Sequence, residues 1–233
     1  MDSVSASLET AACEILLTGL AGHASSAAER LAVALRAAGP AGLGRIDIYL
    51  PASEAGHDPF NLPEPAPDAI VIAEFDARKA LGDAMRNGAI DEAIAVLPSD
   101  ARVVATGFER HYYPVPDGPG TTLTAPISYV VRYRRPAEDE AAFRQCYLDS
   151  HPSVQAGLPG IRAILCYLPL DDLAVPGVAQ GDYLIGNEVA FETVADFNAA
   201  MQSPARDELR AHYQSFPPFS GPTSHVLMQR RAM

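Results

Sequence analysis

Apolar positions recur at two different periods along the chain, and the switches between those periods mark out its elements. Cys13 to Gly19 (CEILLTG) predicts a strand. Ser25 to Ala38 carries alanine and leucine at helical spacing and predicts a helix that Gly39-Pro40 stops. Arg45 to Leu50 (RIDIYL) and Ala69 to Phe75 (AIVIAEF) predict two further strands. Residues 77–96 predict a helix weakened by Gly82 and Gly88, and Arg102 to Tyr113 (RVVATGFERHYY) a closing strand. The same order then returns. Ile127 to Arg134 (ISYVVRYR) reads as a strand, and Glu138 to Leu158 as a helix with Phe143, Tyr147, Val154 and Leu158 near one face. Ile161 to Leu168 and Tyr183 to Glu192 (YLIGNEVAFE) read as strands. Residues 194–216 read as a helix broken at Ser203-Pro204, and His225 to Arg230 as the last strand.

Two stretches read as linkers, 51–68 and 114–126. The second is the better boundary, because proline and glycine there defeat both helix and central strand. The first ten residues are expected to fray. Each half, 12–114 and 125–231, is then β-α-β-β-α-β, the ferredoxin-like order of an α+β protein, and the chain reads as two such repeats. Residue identity between the halves is poor, so the repeat rests on element order. Strands such as ISYVVRYR are large on both sides of the pleat, so a sheet with helices on one face wants cover on the other. Two sheets face to face within one chain would supply it, forming a dimeric α/β-barrel-type sandwich, and the space between them is the expected ligand site.

Composition trims the range of functions. Acidic residues outnumber basic ones 29 to 17, for a net charge of -12, a field that repels nucleic-acid phosphates and anionic lipid heads. Cys13, Cys146 and Cys166 form no CxxC pair and suit reduced thiols. The N-terminal stretch has acids where a signal peptide needs bases, and there is no uncharged apolar run of about 20 residues. A cytoplasmic protein that binds neither nucleic acid nor membrane is expected; association into a homodimer stays open.

The chemistry concentrates in FRQCYLDSHPSVQAGLPGIRAILCY (143–167). Pro152 lacks an N–H and pushes the residue before it toward extended backbone, which places His151 at a helix break. Tyr147 lies one turn earlier on the same side, and LPG leads into a strand bearing Arg162. A histidine that merely caps or packs explains the same residues. His111, Tyr113, Tyr129, Arg132 and His225 fall on predicted strands, where every second side chain points inward, but the pattern does not say which parity does. There is no HExxH, no histidine pair at metal spacing, no GxGxxG and no Walker loop, so no metal and no cofactor is expected, with haem handling the poorer alternative because one axial histidine leaves no spacing signature.

The stretch YLDSHPSVQAGLPGIRAILCY resembles the signature of the EthD-like family, in which a helix-borne histidine-proline element is followed by LPG, and NEVAFETVADFNAAMQSP (187–204) is similar to that family's next strand-helix junction. The resemblance covers the second half; the first lacks the motif and reads as a degenerate copy. It implies the dimeric α/β-barrel superfamily, whose members include cofactor-free oxygenases, muconolactone-type isomerases, polyketide cyclases and haem-binding relatives. His151, Tyr147 and Arg162 are the expected catalytic set, with Tyr129, Arg132, His111, Tyr113 and His225 binding substrate. Proton chemistry by His, Tyr and Arg favours an isomerase acting on a small unsaturated or aromatic-derived acid in aromatic catabolism. A cofactor-free monooxygenase and a non-catalytic binding protein are the alternatives.

Overall fold

The computed structural model describes residues 8–60, 66–116, 118 and 122–233. Eight strands and six helices follow one another as β1 (Leu8–Thr18), α1 (Ala24–Ala38), β2 (Leu43–Pro51), β3 (Ala69–Phe75), α2 (Arg78–Arg86), α3 (Ala89–Ile94), β4 (Arg102–Tyr113), β5 (Ile127–Arg134), α4 (Glu140–Gln155), β6 (Ala163–Pro169), β7 (Tyr183–Phe191), α5 (Val194–Met201), α6 (Pro204–Tyr213) and β8 (Thr223–Ala232). The first strand begins earlier than expected, and of the ten residues expected to fray, 1–7 lie outside the description. The helix expected over 77–96 is two, because Gly88 turns the chain at a φ of 87° between α2 and α3. The break foreseen at Ser203-Pro204 is where α5 gives way to α6, with Pro204 in the first turn. The linker 114–126 falls between β4 and β5, its residues 117 and 119–121 lying outside the description, as do 61–65 of the linker 51–68.

The strands close into one antiparallel barrel in the order β1-β3-β2-β8-β5-β7-β6-β4. Strands of the first half run β4-β1-β3-β2 and those of the second β8-β5-β7-β6, joined edge to edge by β2 with β8 and β4 with β6. Closure leaves no open sheet edge. The two faces of each strand divide the core. Inward positions bring Tyr49, Ile70, Ile72, Phe108, Val130, Leu165, Tyr167, Tyr183 and Met228 into one cluster. Outward positions pack under helices: α1, α2 and α3 over the first half, and α4, α5 and α6 over the second.

The barrel interior is not the ligand space expected from the sequence. Besides its aromatic filling it holds buried charges that satisfy one another. Arg132 pairs with Glu14 across the halves, and Glu188 accepts from Ser128 Oγ at 2.6 Å, Tyr49 at 3.3 Å and Tyr167. Arg230 and Arg45 both reach Asp47 at 2.7 Å. Inward side chains as large as these, bonded to each other, leave the core packed. Cavity space lies on the other side of the sheet.

Candidate active site

Outward residues of β5, β7 and β8 face α4 and α6 across a cavity of about 330 Å³, within the range of small-molecule sites. Tyr129, Val131 and Tyr133 come from β5, Asn187 and Val189 from β7, and Thr223 and His225 from β8. Tyr147, His151 and Gln155 come from α4, and Arg206, Leu209, Arg210 and Tyr213 from α6. The α4 residues sit at i, i+4 and i+8, one stripe of a helix. Asp139 caps that helix, accepting from Ala142 N at 2.9 Å.

Helix α4 runs unbroken through Ser150-His151-Pro152, contrary to the break expected there. Proline removes only the hydrogen bond to the Leu148 carbonyl, close to the helix end, and Pro152 is itself buried, so packing outweighs the loss. His151 is 6% exposed. Its ring lies 4.6 Å from that of Tyr147 and 5.2 Å from that of Phe216, centroid to centroid. Burial, with smaller contributions from His212 and Arg206, brings its pKa down to about 3. The imidazole is therefore neutral near pH 7.

A short chain of polar contacts leads outward. His151 Nδ1 is 3.0 Å from His212 Nδ1, His212 Nε2 is 3.0 Å from Ser150 Oγ, and Ser150 Oγ donates to the Cys146 carbonyl at 2.6 Å. Deeper in the cavity Gln155 and Asn187 exchange amide hydrogen bonds of 2.6 and 3.1 Å. The Tyr133 and Tyr147 hydroxyls are bonded to each other and stay protonated, burial holding both above the usual phenol range. Toward the mouth, Tyr129 donates to Asp58 at 2.8 Å, and Arg206 grips the same carboxylate with contacts of 2.8 to 3.1 Å. Asp58 belongs to the segment after β2, so a loop of the first half is bonded to two residues that line a cavity of the second. Arg210 stacks on Tyr213 at 5.2 Å and on Phe60 at 5.5 Å, and among the described residues it makes no ion pair.

The structure thus brings His151, Tyr147, Tyr129 and His225 together around one space. It places the other expected site residues elsewhere. Arg132 is on the inward face of β5, bound to Glu14 in the barrel core. His111 lies on β4, its Nε2 2.7 Å from Glu109. Tyr113, buried near Tyr147, belongs to the same aromatic layer without lining the cavity. Arg162 is half-exposed at the foot of β6, 3.5 Å from Glu192. Sequence reasoning passed over His212, Arg206, Arg210 and Tyr213, all on α6. Arg206, Arg210 and Tyr213 fall with Leu209 on one helical stripe, so their signal was present within the helix expected over 194–216, whereas His212 lies off that stripe.

In the first half the described helices pack apolar side chains against the sheet. There α1 presents Ala27, Ala28, Leu31, Ala32 and Leu35 to the sheet. Alanines let the helix sit close, and Leu81, Met85 and Ile90 join the same apolar cluster.

No family model matches the chain, and no curated protein matches it in sequence. Among solved structures, an anthrone oxidase-like protein superposes over 98% of this chain and 95% of its own, with a TM-score of 0.67 at 12% identity. A provisionally named monooxygenase from Lactobacillus acidophilus NCFM covers 95% of this chain and 93% of its own, with a TM-score of 0.52 at 12% identity. An EthD-family protein from Bacillus halodurans C-125 aligns with only 42% of this chain at a TM-score of 0.34, so the EthD-like resemblance gains nothing from it. Likeness at such low identity speaks for the fold alone: the chain is an α+β protein whose eight described strands close into one antiparallel barrel, and it shares its overall fold with the first two of these structures.

Proposed function

We propose that this chain is an enzyme of the dimeric α/β-barrel class that adds oxygen to an electron-rich phenolic or enolisable aromatic substrate, with His151 as its base. We also infer that 12–114 and 125–231 are two ferredoxin-like repeats, a reading supported by their matching strand orders, and that only the second keeps a site.

The observation that carries the functional reading is a buried, neutral histidine facing a cavity walled by four tyrosines. A flat aromatic fits such walls, since Tyr129, Tyr133, Tyr147 and Tyr213 offer ring faces and edges. His151 takes the proton of the phenol or enol. A base whose pKa lies near 3 in the empty cavity is weak, but an enolate formed about 4 Å away contributes about 4 kcal/mol, roughly three pKa units, toward keeping the proton. Arg210 at the mouth steadies the same negative charge. The electron-rich carbanion form then reduces O₂. A carbon–oxygen bond forms, His151 returns its proton to the peroxide, and loss of water leaves a carbonyl, so a ring CH₂ and O₂ give C=O and H₂O.

The names of the two neighbours above, an oxidase-like protein and a monooxygenase, favour oxygen chemistry over the isomerase expected from sequence. Anthrone is the probe to try first. Oxygen uptake with anthrone should fall on the order of 10²- to 10⁴-fold in His151→Ala with the fold intact. Turnover without oxygen uptake would return the site to an isomerase, and tight retention of an unchanged ligand would make it a binding protein.

A further inference from the structure

We propose that Ser150 and His212 are positioning residues that hold His151 in the tautomer protonated at Nδ1, so that its bare Nε2 is the atom that accepts the substrate proton. The role given to Nε2 rests on the oxygenase reading; the tautomer rests on hydrogen-bond accounting with a neutral His212. A serine hydroxyl has one proton to give, and a backbone carbonyl can only accept. With Ser150 Oγ 2.6 Å from the Cys146 carbonyl, that proton is committed. His212 Nε2, 3.0 Å from the same oxygen, must then be the donor. A neutral imidazole that donates through Nε2 has a bare Nδ1, which accepts, and the atom 3.0 Å from it is His151 Nδ1. His151 therefore carries its proton there. Its Nε2 has no hydrogen-bond partner among the described residues, although His151 lines the cavity.

The direction of the chain depends on His212 being neutral. Partial burial opposes a charge on His212, and its partner His151, 3.0 Å away, is itself held neutral by burial, with His212 and Arg206 adding to that. Tyr147, on the same helix as His151, stays a neutral phenol. Catalysis reverses the charge state briefly. When Nε2 takes the substrate proton, the Nδ1 proton crosses 3.0 Å to His212: one N–H breaks, one forms, and the positive charge moves from a 6%-exposed ring to a half-exposed one, the same proton crossing back when Nε2 gives its own to the peroxide.

The test needs no substrate at first. Nitrogen-15 NMR of the ligand-free protein at neutral pH is expected to show His151 protonated at Nδ1 and bare at Nε2. In His212→Ala, where the acceptor is gone, the proton should redistribute toward Nε2. His212→Asn, whose amide oxygen can stand near the place of Nδ1, should restore the native tautomer. A native His151 protonated at Nε2, or a tautomer indifferent to His212→Ala, overturns the proposal. With anthrone as substrate, His212→Ala should lower kcat/KM on the order of 10- to 100-fold and move the acid limb of its pH profile, with His212→Asn recovering most of the rate. Native protein that leaves anthrone and oxygen untouched sinks the oxygenase reading while the NMR result still decides the tautomer.

Discussion

Two histidines of the cavity hold off protonation far below the usual imidazole value, and burial is the main cause for both: His151 comes down to about 3 and His225 to about 4. In the unfolded chain each takes a proton near pH 6.5. As pH falls through 6.5 the unfolded state gains protons that the folded state refuses, so stability declines toward acid at about 1.4 kcal/mol per pH unit for each fully titrating group. The contribution of these rings is complete above pH 6.5 and is eroded below it. Urea denaturation between pH 7 and 5 should show this slope, and His151→Gln should make it shallower; an unchanged slope would place that ring in water. At this scale the sequence was half legible. Tyr147 and His151 share a helical stripe that periodicity reveals. Arg132 was misread because β5 is large on both faces, so nothing in ISYVVRYR tells the cavity side from the barrel side. His212 was missed because its partner lies 61 residues away in the chain.

Helices α4 and α6 build the cavity as a pair, and the chain leaving β2 is anchored to two of its lining residues, Tyr129 and Arg206. That segment is tied down at three points: His57 N donates to Asn198 Oδ1 at 2.7 Å, Asp58 receives Tyr129 and Arg206, and Phe60 lies under Arg206 at 4.9 Å. Gly56 fits because a side chain there would collide with Phe197 and Leu227, each 2.8 Å from where a Cβ would stand. The Asp58 side chain is 5% exposed and carries most of the polar bonding, so Asp58→Ala leaves Arg206 and the Tyr129 hydroxyl without it, at about 1–3 kcal/mol of stability. Limited proteolysis should then cut within 51–60 faster than in the native protein, and ligand affinity should weaken. An equally resistant loop would mean the apolar contacts of Gly56 and Phe60 suffice. The elements themselves were legible, since caps and breakers such as Asp139, Gly39 and Pro204 mark their ends. The loop's role was not, because PASEAGHDPF reads as a linker until Arg206 is seen beside it.

For the whole molecule, the sheet closes because each half offers the other two strand edges and a share of the barrel interior. Twice-repeated β-α-β-β-α-β order made an α+β fold of paired sheets visible in the sequence, but not what fills the space between them. Large inward residues and charges alternate along the strands, and only the closed geometry shows that the charges meet. Glu14 on β1 and Arg132 on β5 are the clearest case, one from each half, 2% and 5% exposed, with Arg132 also stacked on Tyr167 at 4.5 Å. Such a pair gains little over apolar packing, but removing one partner strands the other's charge out of water. Arg132→Met should therefore destabilise the protein by about 3–5 kcal/mol in chemical denaturation, and Glu14→Leu by a comparable amount. The double variant should recover most of that loss, because no charge is left unmatched between the sheets. Losses that simply add would mean the two residues do not depend on each other, and that the halves are held together by their strand edges and aromatic packing alone.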